Sequence, residues 1–312
     1  MSRVAKRIVA VSLPRQGRIV AAYGRRVTVE ADDGALFECG TRDRNRDVAC
    51  GDRVTFNSTS LDQGVIEAVA QRKTLLYRSD MNRQKVIAAN VTQVVFVLAA
   101  VPTYSEDLLS RCLVAAEGAA LKVVVVLNKA DLGVPTEQAR KDLAWVTALG
   151  YGLLTLSAKA SLADLQPFLH GEISVLVGQS GMGKSTILNK LVPGAFARTD
   201  EFSEALDSGR HTTTSAKLYH LDEKTDLVDS PGLQEFGLFH LDDHELMQAF
   251  PELRAYHGEC RFNNCRHLKE PGCAVIQAAA DRLISTNRLG LYQRLVTQHT
   301  EWRQKLKGMG KG

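Results

Sequence analysis

The sequence predicts a multidomain α/β protein with an all-β N-terminal domain, and three observations carry that prediction. Between Gly17 and Val69, short runs rich in β-branched and aromatic residues are separated by Gly, Asp and Asn clusters. From Gln93 to Val228, apolar strands alternate with helical segments, the pattern of a parallel sheet covered on both faces. Beyond Asp242 the text turns helical and is interrupted by a cluster of cysteines and a histidine. The 312 residues suit more than one domain at roughly 150 residues each. A chain that is 45% hydrophobic and 24% charged is composed as a globular protein, which excludes a predominantly disordered one. No apolar run approaches the roughly 18 residues of a membrane span. The apolar stretch Ile8 to Leu13 is too short for a signal sequence, so the expected location is cytoplasmic.

Residues 1–15 lack a sustained period and read as a flexible basic arm. Within 16–84 the strand-like runs are Arg18 to Ala21, Arg26 to Glu30, Ala35 to Cys39, Asp52 to Phe56 and Gly64 to Val69, with turn signals at Asp32-Asp33-Gly34 and Cys50-Gly51-Asp52. Five strands in so short a span predict a closed OB-fold barrel, an architecture that often binds oligonucleotides. A polar stretch from Gln71 to Gln84 follows. Within 85–241 the expected strands are Gln93 to Leu98, Lys122 to Leu127, Gly152 to Leu156, Ile173 to Val177, Ala216 to Leu221 and Asp226 to Val228. The expected helices are Glu106 to Gly118, Thr136 to Leu149 and Lys184 to Leu191. The last module, 242–312, ends in a long helical segment from Ala274 to Lys307.

The formal charge of +4 conceals a division. Met1 to Lys85 holds 16 Lys/Arg against 10 Asp/Glu, Val86 to Ala279 holds 16 against 23, and Ala280 to Gly312 holds 7 against 2. Basic ends around an acidic middle predict that the ends meet a polyanion.

The middle carries the chemistry. Ile173 to Val177 leads into Gly178-Gln179-Ser180-Gly181-Met182-Gly183-Lys184-Ser185-Thr186 and then an apolar helix, which is G-x-x-x-x-G-K-[ST] in strand, loop, helix context. Such a loop turns backbone N–H groups toward phosphate oxygens, with Lys184 reaching the β/γ-phosphates and Ser185 ligating Mg²⁺. Asn128-Lys129-Ala130-Asp131 and Ser157-Ala158-Lys159 each follow a buried strand, at the sheet edge where ligands bind. A carboxylate at Asp131 can accept from guanine N1–H and the exocyclic amine together, and adenine offers no such pair, so the expected nucleotide is GTP or GDP. Lys129 is expected to cover the base plane, and Asn128 to tie its loop to neighbouring backbone. Asp229-Ser230-Pro231-Gly232 ends another strand, where the carboxylate can hold Mg²⁺ through water and Gly232 N–H can meet the γ-phosphate. Between these segments, Gly209-Arg210-His211-Thr212-Thr213-Thr214 ends a polar loop in which Thr213 or Thr214 completes the Mg²⁺ shell. Loops of this kind order around the γ-phosphate.

The base-side motifs precede the phosphate loop, the reverse of the Ras-type order, so the chain reads as a circular permutation. The turn at Asp229 to Gly232 then leads directly into the C-terminal module. There Cys260, Cys265, His267 and Cys273 fall within 14 residues, a Cys₃His set suited to one structural Zn²⁺ that would hold a basic knob bearing Arg261, Arg266 and Lys269. Cys39, Cys50 and Cys112 are scattered and read as buried thiols.

These motifs in this order closely resemble the RsgA (YjeQ) family of small-ribosomal-subunit biogenesis GTPases, over nearly the whole chain. The resemblance implies an OB-fold barrel, a circularly permuted P-loop GTPase domain and a C-terminal zinc-binding helical domain. It further implies a monomer that binds the small ribosomal subunit and its rRNA late in assembly and hydrolyses GTP when the subunit stimulates it. Ser230 is a departure, since the family more often has Thr there. Leu233 follows the glycine where Ras-type enzymes have a water-orienting Gln, and an apolar side chain cannot orient water, so slow intrinsic hydrolysis is expected. His211 is the internal candidate for that role, and the resemblance points the same way; Lys184, Thr213 and Thr214 complete the expected catalytic set. An alternative reading is a nucleotide-gated rRNA-binding module in which hydrolysis is incidental. A third, an ATP-dependent kinase or ATPase, is opposed by Asn128 to Asp131.

Overall fold

The computed structural model describes residues 13–23, 26–42, 47–79, 84–195, 216–230, 236 and 238–309. Most of the expected basic arm therefore lies outside the described residues, as do His211, Thr213, Thr214 and Gly232.

Five strands form the N-terminal barrel: β1 (Arg15–Tyr23), β2 (Arg26–Ala31), β3 (Leu36–Thr41), β4 (Arg53–Ser58) and β5 (Gln63–Val69). β1 pairs with both β2 and β4, and β3 runs parallel to β5, which closes the barrel in the expected OB-fold order. Alternation sends Ile19, Val27, Val29, Phe37, Val54, Phe56 and Ile66 inward, and the rings of Phe37 and Phe56 meet at 5.1 Å. The stretch read as a polar connector instead begins a hairpin, β6 (Leu75–Ser79) with β7 (Gln84–Ala89), that crosses the module boundary expected at 84. Its apolar positions Leu76, Ile87 and Ala88 are too few to show as a period, yet they bury in the main core. Gly51 is required by the same hairpin: its φ is +93° and a Cβ there would lie 2.0 Å from the Ala89 carbonyl oxygen.

The second sheet contains β8 (Gln93–Ala99), β9 (Lys122–Asn128), β10 (Gly152–Thr155), β11 (Ile173–Val177), β12 (Lys217–His220) and β13 (Asp226–Asp229). Its order is β10-β9-β8-β11-β13-β12, with all strands parallel except β12. β8 and β9 are near-continuous Val/Leu runs because both faces are covered. The helices are α1 (Glu106–Gly118), α2 (Val134–Asp142), α3 (Ala144–Ala148), α4 (Gln166–Leu169) and α5 (Lys184–Leu191), followed by α6 (Asp243–Gln248), α7 (Pro251–Arg254), α8 (Ala274–Ala280) and α9 (Thr286–Met309).

Two expected helices are divided. The 136–149 segment breaks at the fully buried Leu143, and the C-terminal one ends at Ala280, where Arg282 takes a φ of +62°. Arg282 N–H and Leu283 N–H then return to the carbonyls of Ala279 and Ala278, closing α8 with a left-handed cap. One apolar core joins β8 and α1 to the last module through Leu109, Leu113, Phe250, Tyr292 and Leu295. Among the described residues no helix is long and apolar enough to cross a membrane.

The barrel and the second sheet are continuous, because β1 pairs with β12 at Ala21 and Lys217. Charges hold this seam. Arg18 donates to Asp226 Oδ2 at 2.5 Å, while His220 places Nδ1 2.6 Å from Asp226 Oδ1 and Nε2 2.7 Å from Glu30 Oε2. The hydrogen bond to Asp226, with Glu30 adding to it, raises His220 to about 9. A folded value above the ordinary 6.5 means that the contribution is complete below about pH 6.5 and is lost as pH rises through 9. Because His220 is half exposed, it amounts to about 1 kcal/mol. Urea unfolding is therefore expected to show His220→Gln less stable than wild type at pH 6.5, with the gap closing by pH 9.5; a pH-independent gap contradicts the seam's electrostatics.

Candidate functional site

Among the described residues, the phosphate loop, the two base-side loops and the Asp229 end of β13 meet at one place, the carboxyl edge of the parallel sheet. β11 lies centrally between β8 and β13, and its end opens into the loop Gly178 to Gly183 before α5 begins at Lys184. Three glycines make the turn possible, with φ of +142°, +78° and +96° at Gly178, Gly181 and Gly183. A Cβ on Gly178 would lie 2.1 Å from the Val97 carbonyl oxygen, and one on Gly183 would lie 2.2 Å from Asn128 Nδ2. Gly183 caps α5 and has no side chain to accept from the first N–H groups of the helix, the groups that an anion at a helix N-terminus uses. Met182 is buried beneath the loop. Lys184 Nζ bends back to the carbonyls of Gly178 and Gln179, both at 2.7 Å. At the rim, the Gln179 amide oxygen accepts from the backbone N–H of Ser105, the residue that caps α1.

The base-side loops are built around Asn128, which is 2% exposed. Its Nδ2 donates to the Met182 carbonyl and its Oδ1 accepts from Ala158 N–H, both at 2.9 Å, so the expected tie to neighbouring backbone reaches two loops at once. Lys129 adopts φ +64° and donates to the Val101 carbonyl at 2.8 Å. Asp131 is exposed and accepts from Ser157 Oγ at 2.6 Å, a bond that holds its carboxyl below the ordinary range. Ala130 N–H donates to the Leu156 carbonyl, and Lys159 stays exposed. Lys190 was not foreseen: from the last turn of α5 its Nζ reaches the carbonyls of Ala158, Lys159 and Ala160. No spacing rule in the sequence connects it to that loop.

Asp229 ends β13 beside the phosphate loop. Burial pushes its carboxyl up to about 6 against the pull of Lys184, and burial likewise pushes the Lys184 ammonium down. Both side chains are partly exposed at the sheet edge, and a cation beside the acid or an anion beside the lysine would favour its charged form. Ser230 Oγ donates to the Leu176 carbonyl, locking the turn's second residue to the central strand.

The Cys₃His cluster assembles as the spacing predicted. Ligand atoms of Cys260, Cys265, His267 and Cys273 all lie within 4.8 Å of one another, with His267 Nδ1 at 3.5, 3.6 and 3.3 Å from the three Sγ atoms in turn. Three thiols and one imidazole nitrogen form a donor set compatible with zinc. His267 holds φ +59°, and Gln293 of α9 donates to its carbonyl. Glu270, unremarked in the sequence, accepts backbone N–H groups of Arg266, Leu268 and Lys269 and falls to about 2. Cys39, Cys50 and Cys112 are buried free thiols, as expected.

The parallel sheet, the phosphate loop and the base-side loops that precede it define a circularly permuted P-loop GTPase. Residues 69–239 match the RsgA GTPase family. Small ribosomal subunit biogenesis GTPase RsgA of Nitrosospira multiformis is 50% identical over 285 residues, 91% of each chain, and its namesake in Burkholderia pseudomallei is 50% identical over 291 residues, 92% of this chain and 93% of that one. The crystal structure of YjeQ from Thermotoga maritima superposes with a TM-score of 0.70 at 31% identity, covering 92% of this chain and 99% of that one. YloQ, described as a circularly permuted GTPase, superposes with a TM-score of 0.67 at 26% identity, covering 96% and 98%. The chain belongs to the RsgA GTPase family.

The geometry of Gly183 makes a direct prediction. Gly183→Ala places a methyl against the Asn128 amide in a backbone region unfavourable to alanine, and is expected to lower unfolding free energy by about 1–3 kcal/mol in a urea titration. An unchanged midpoint contradicts the close approach.

Proposed function

We propose that this chain is a GTPase that binds the small (30S) ribosomal subunit, acts in its late assembly and hydrolyses GTP to GDP and phosphate when stimulated by it. The observation that carries the reading is the convergence, at one sheet edge, of a glycine-built phosphate loop and a base-side loop with an exposed, hydrogen-bonded Asp131. Relatives 50% identical over most of the chain are small ribosomal subunit biogenesis GTPases by name, which supports the ribosomal assignment.

In this reading the backbone from Gly178 to Thr186 wraps the phosphates, with Lys184 exchanging its two carbonyl partners for β/γ-phosphate oxygens. Ser185, a threonine of the 213–214 pair and, through water, Asp229 would hold Mg²⁺, which would supply positive charge beside the phosphates. Asp131 reads the guanine edge, Lys129 covers the base, and Ser157 to Lys159 complete its pocket. His211 positions the attacking water in place of the glutamine that Leu233 displaces. The Cys₃His set would hold one Zn²⁺, which would cross-link the C-terminal module. The working modules are 16–84, 85–241 and 242–312, the β6–β7 hairpin spanning the first boundary, with the basic ends meeting rRNA and the protein acting as a cytoplasmic monomer.

The test is GTP turnover with and without purified small ribosomal subunits. Turnover is expected to be slow alone and to rise at least about tenfold with subunits, and His211→Ala is expected to lose the rise while still binding GTP. Equal turnover in both conditions overturns the reading in favour of a nucleotide-gated RNA-binding module.

A further inference from the structure

Beyond the phosphate and zinc sites, the Lys190 ammonium makes a polar arrangement that no local sequence pattern accounts for. It lies 2.6 Å from the Ala160 carbonyl oxygen, 3.0 Å from that of Lys159 and 3.2 Å from that of Ala158. An ammonium has three donors and no acceptor, so three consecutive carbonyls turned toward one point match it fully. Among the described residues, no carboxylate lies within ion-pair distance of it. The loop it holds is otherwise a tight turn, in which Ala160 and Ser161 N–H both return to the Ser157 carbonyl.

The two sides of this loop are held by different residues with a common reference. On the N–H side, Asn128 Oδ1 accepts from Ala158, and the same amide is bonded to Met182 of the phosphate loop. On the carbonyl side the holder is Lys190, which belongs to the helix that the phosphate loop opens into. Both holders therefore set the position of Ser157-Ala158-Lys159 relative to the phosphate loop. Ser157 in turn donates to Asp131, so a shift of this loop moves the partner of the proposed guanine-reading carboxylate.

We propose that Lys190 is a positioning residue for guanine specificity: it keeps the Ser157-Ala158-Lys159 loop at a set distance from the phosphate loop, so that a nucleotide held by its phosphates meets a base pocket already in place. The proposal rests on the reading of Asp131 and Ser157 to Lys159 as the base-side wall. Its consequence is selective. Losing the ammonium loosens the base wall, which only a guanine nucleotide uses fully, and leaves the phosphate loop and the start of α5 as they are.

The experiment is competition of GTP and of ATP against a fluorescent GDP analogue, on the full chain, for wild type, Lys190→Met, Lys190→Arg and Asp131→Asn. Methionine keeps much of the aliphatic stem and removes the charge. Lys190→Met is expected to weaken GTP about fivefold to tenfold, the size of a few lost charge-assisted bonds in a partly exposed setting, with ATP unchanged. Lys190→Arg is expected to restore most of the preference for GTP. Equal weakening of GTP and ATP overturns the proposal, because it indicates a general defect in α5, and so does an unaltered preference. If Asp131→Asn erases the preference while Lys190→Met keeps it, the Lys190 assignment alone falls. If wild type binds ATP as tightly as GTP, the guanine reading falls and takes this proposal with it.

Discussion

One buried amide organises the nucleotide-handling half of this protein. Asn128 closes β9, and both ends of its side chain are committed: the nitrogen to the phosphate loop at Met182, the oxygen to the base-side loop at Ala158. A buried amide left unpaired costs about 1–3 kcal/mol, so neither loop can leave without a penalty. The same contact explains why position 183 tolerates no side chain, since the amide occupies the space a Cβ would need. Base-side and phosphate-side recognition are thus parts of one frame, and permuting the chain leaves that frame intact because it is made of tertiary bonds.

Around it, the permutation places other modules at mechanically useful positions. β12 and β13 lie between segments 196–215 and 231–235, where the nucleotide-sensing loops are proposed, and β12 is the strand that pairs with the barrel. The same two strands carry the charged seam, His220 of β12 and Asp226 of β13 meeting Glu30 and Arg18 of the barrel. On the other flank, Arg288 of α9 is 1% exposed, pairs with Glu252 at 2.6 Å, donates to the Ser110 carbonyl and lies over the Phe250 ring. Removing one partner of such a pair leaves an uncompensated buried charge, so the contact fixes α9 against α1. Arg294 and Asn287 meet Asp107 and Glu106 at the start of α1, whose cap, Ser105, is bonded to Gln179 of the phosphate loop. The last module and the phosphate loop thus share a neighbour.

Most of the architecture was legible in the sequence because its signals are local. Alternation over five or six residues marked each barrel strand, and glycines at fixed spacing marked the phosphate loop, since only a short stretch of backbone must be satisfied at once. The Cys₃His set was legible for the same reason, with four ligands inside 14 residues. Hidden features depend on partners far apart in the chain. Arg288 reads as an ordinary basic residue on a C-terminal helix until Glu252 and Ser110 are brought to it, and Lys190 reads as a solvated lysine until the 158–160 carbonyls are. The hairpin β6–β7 escaped notice because half its residues are polar, and the end of α8 because a left-handed Arg282 carries no glycine to announce it. The charge division has its counterpart in the ion pairs at both seams, although its proposed purpose concerns the partner.

The central claim, that a single buried amide sets the register of both recognition loops, is tested most directly by measuring GDP affinity of Asn128→Ala with a fluorescent analogue, alongside circular dichroism to follow the fold. Loss of two buried hydrogen bonds predicts binding weakened about 30-fold or more with the fold retained. A dissociation constant within about threefold of wild type would contradict the claim, because each loop would then be holding its own position.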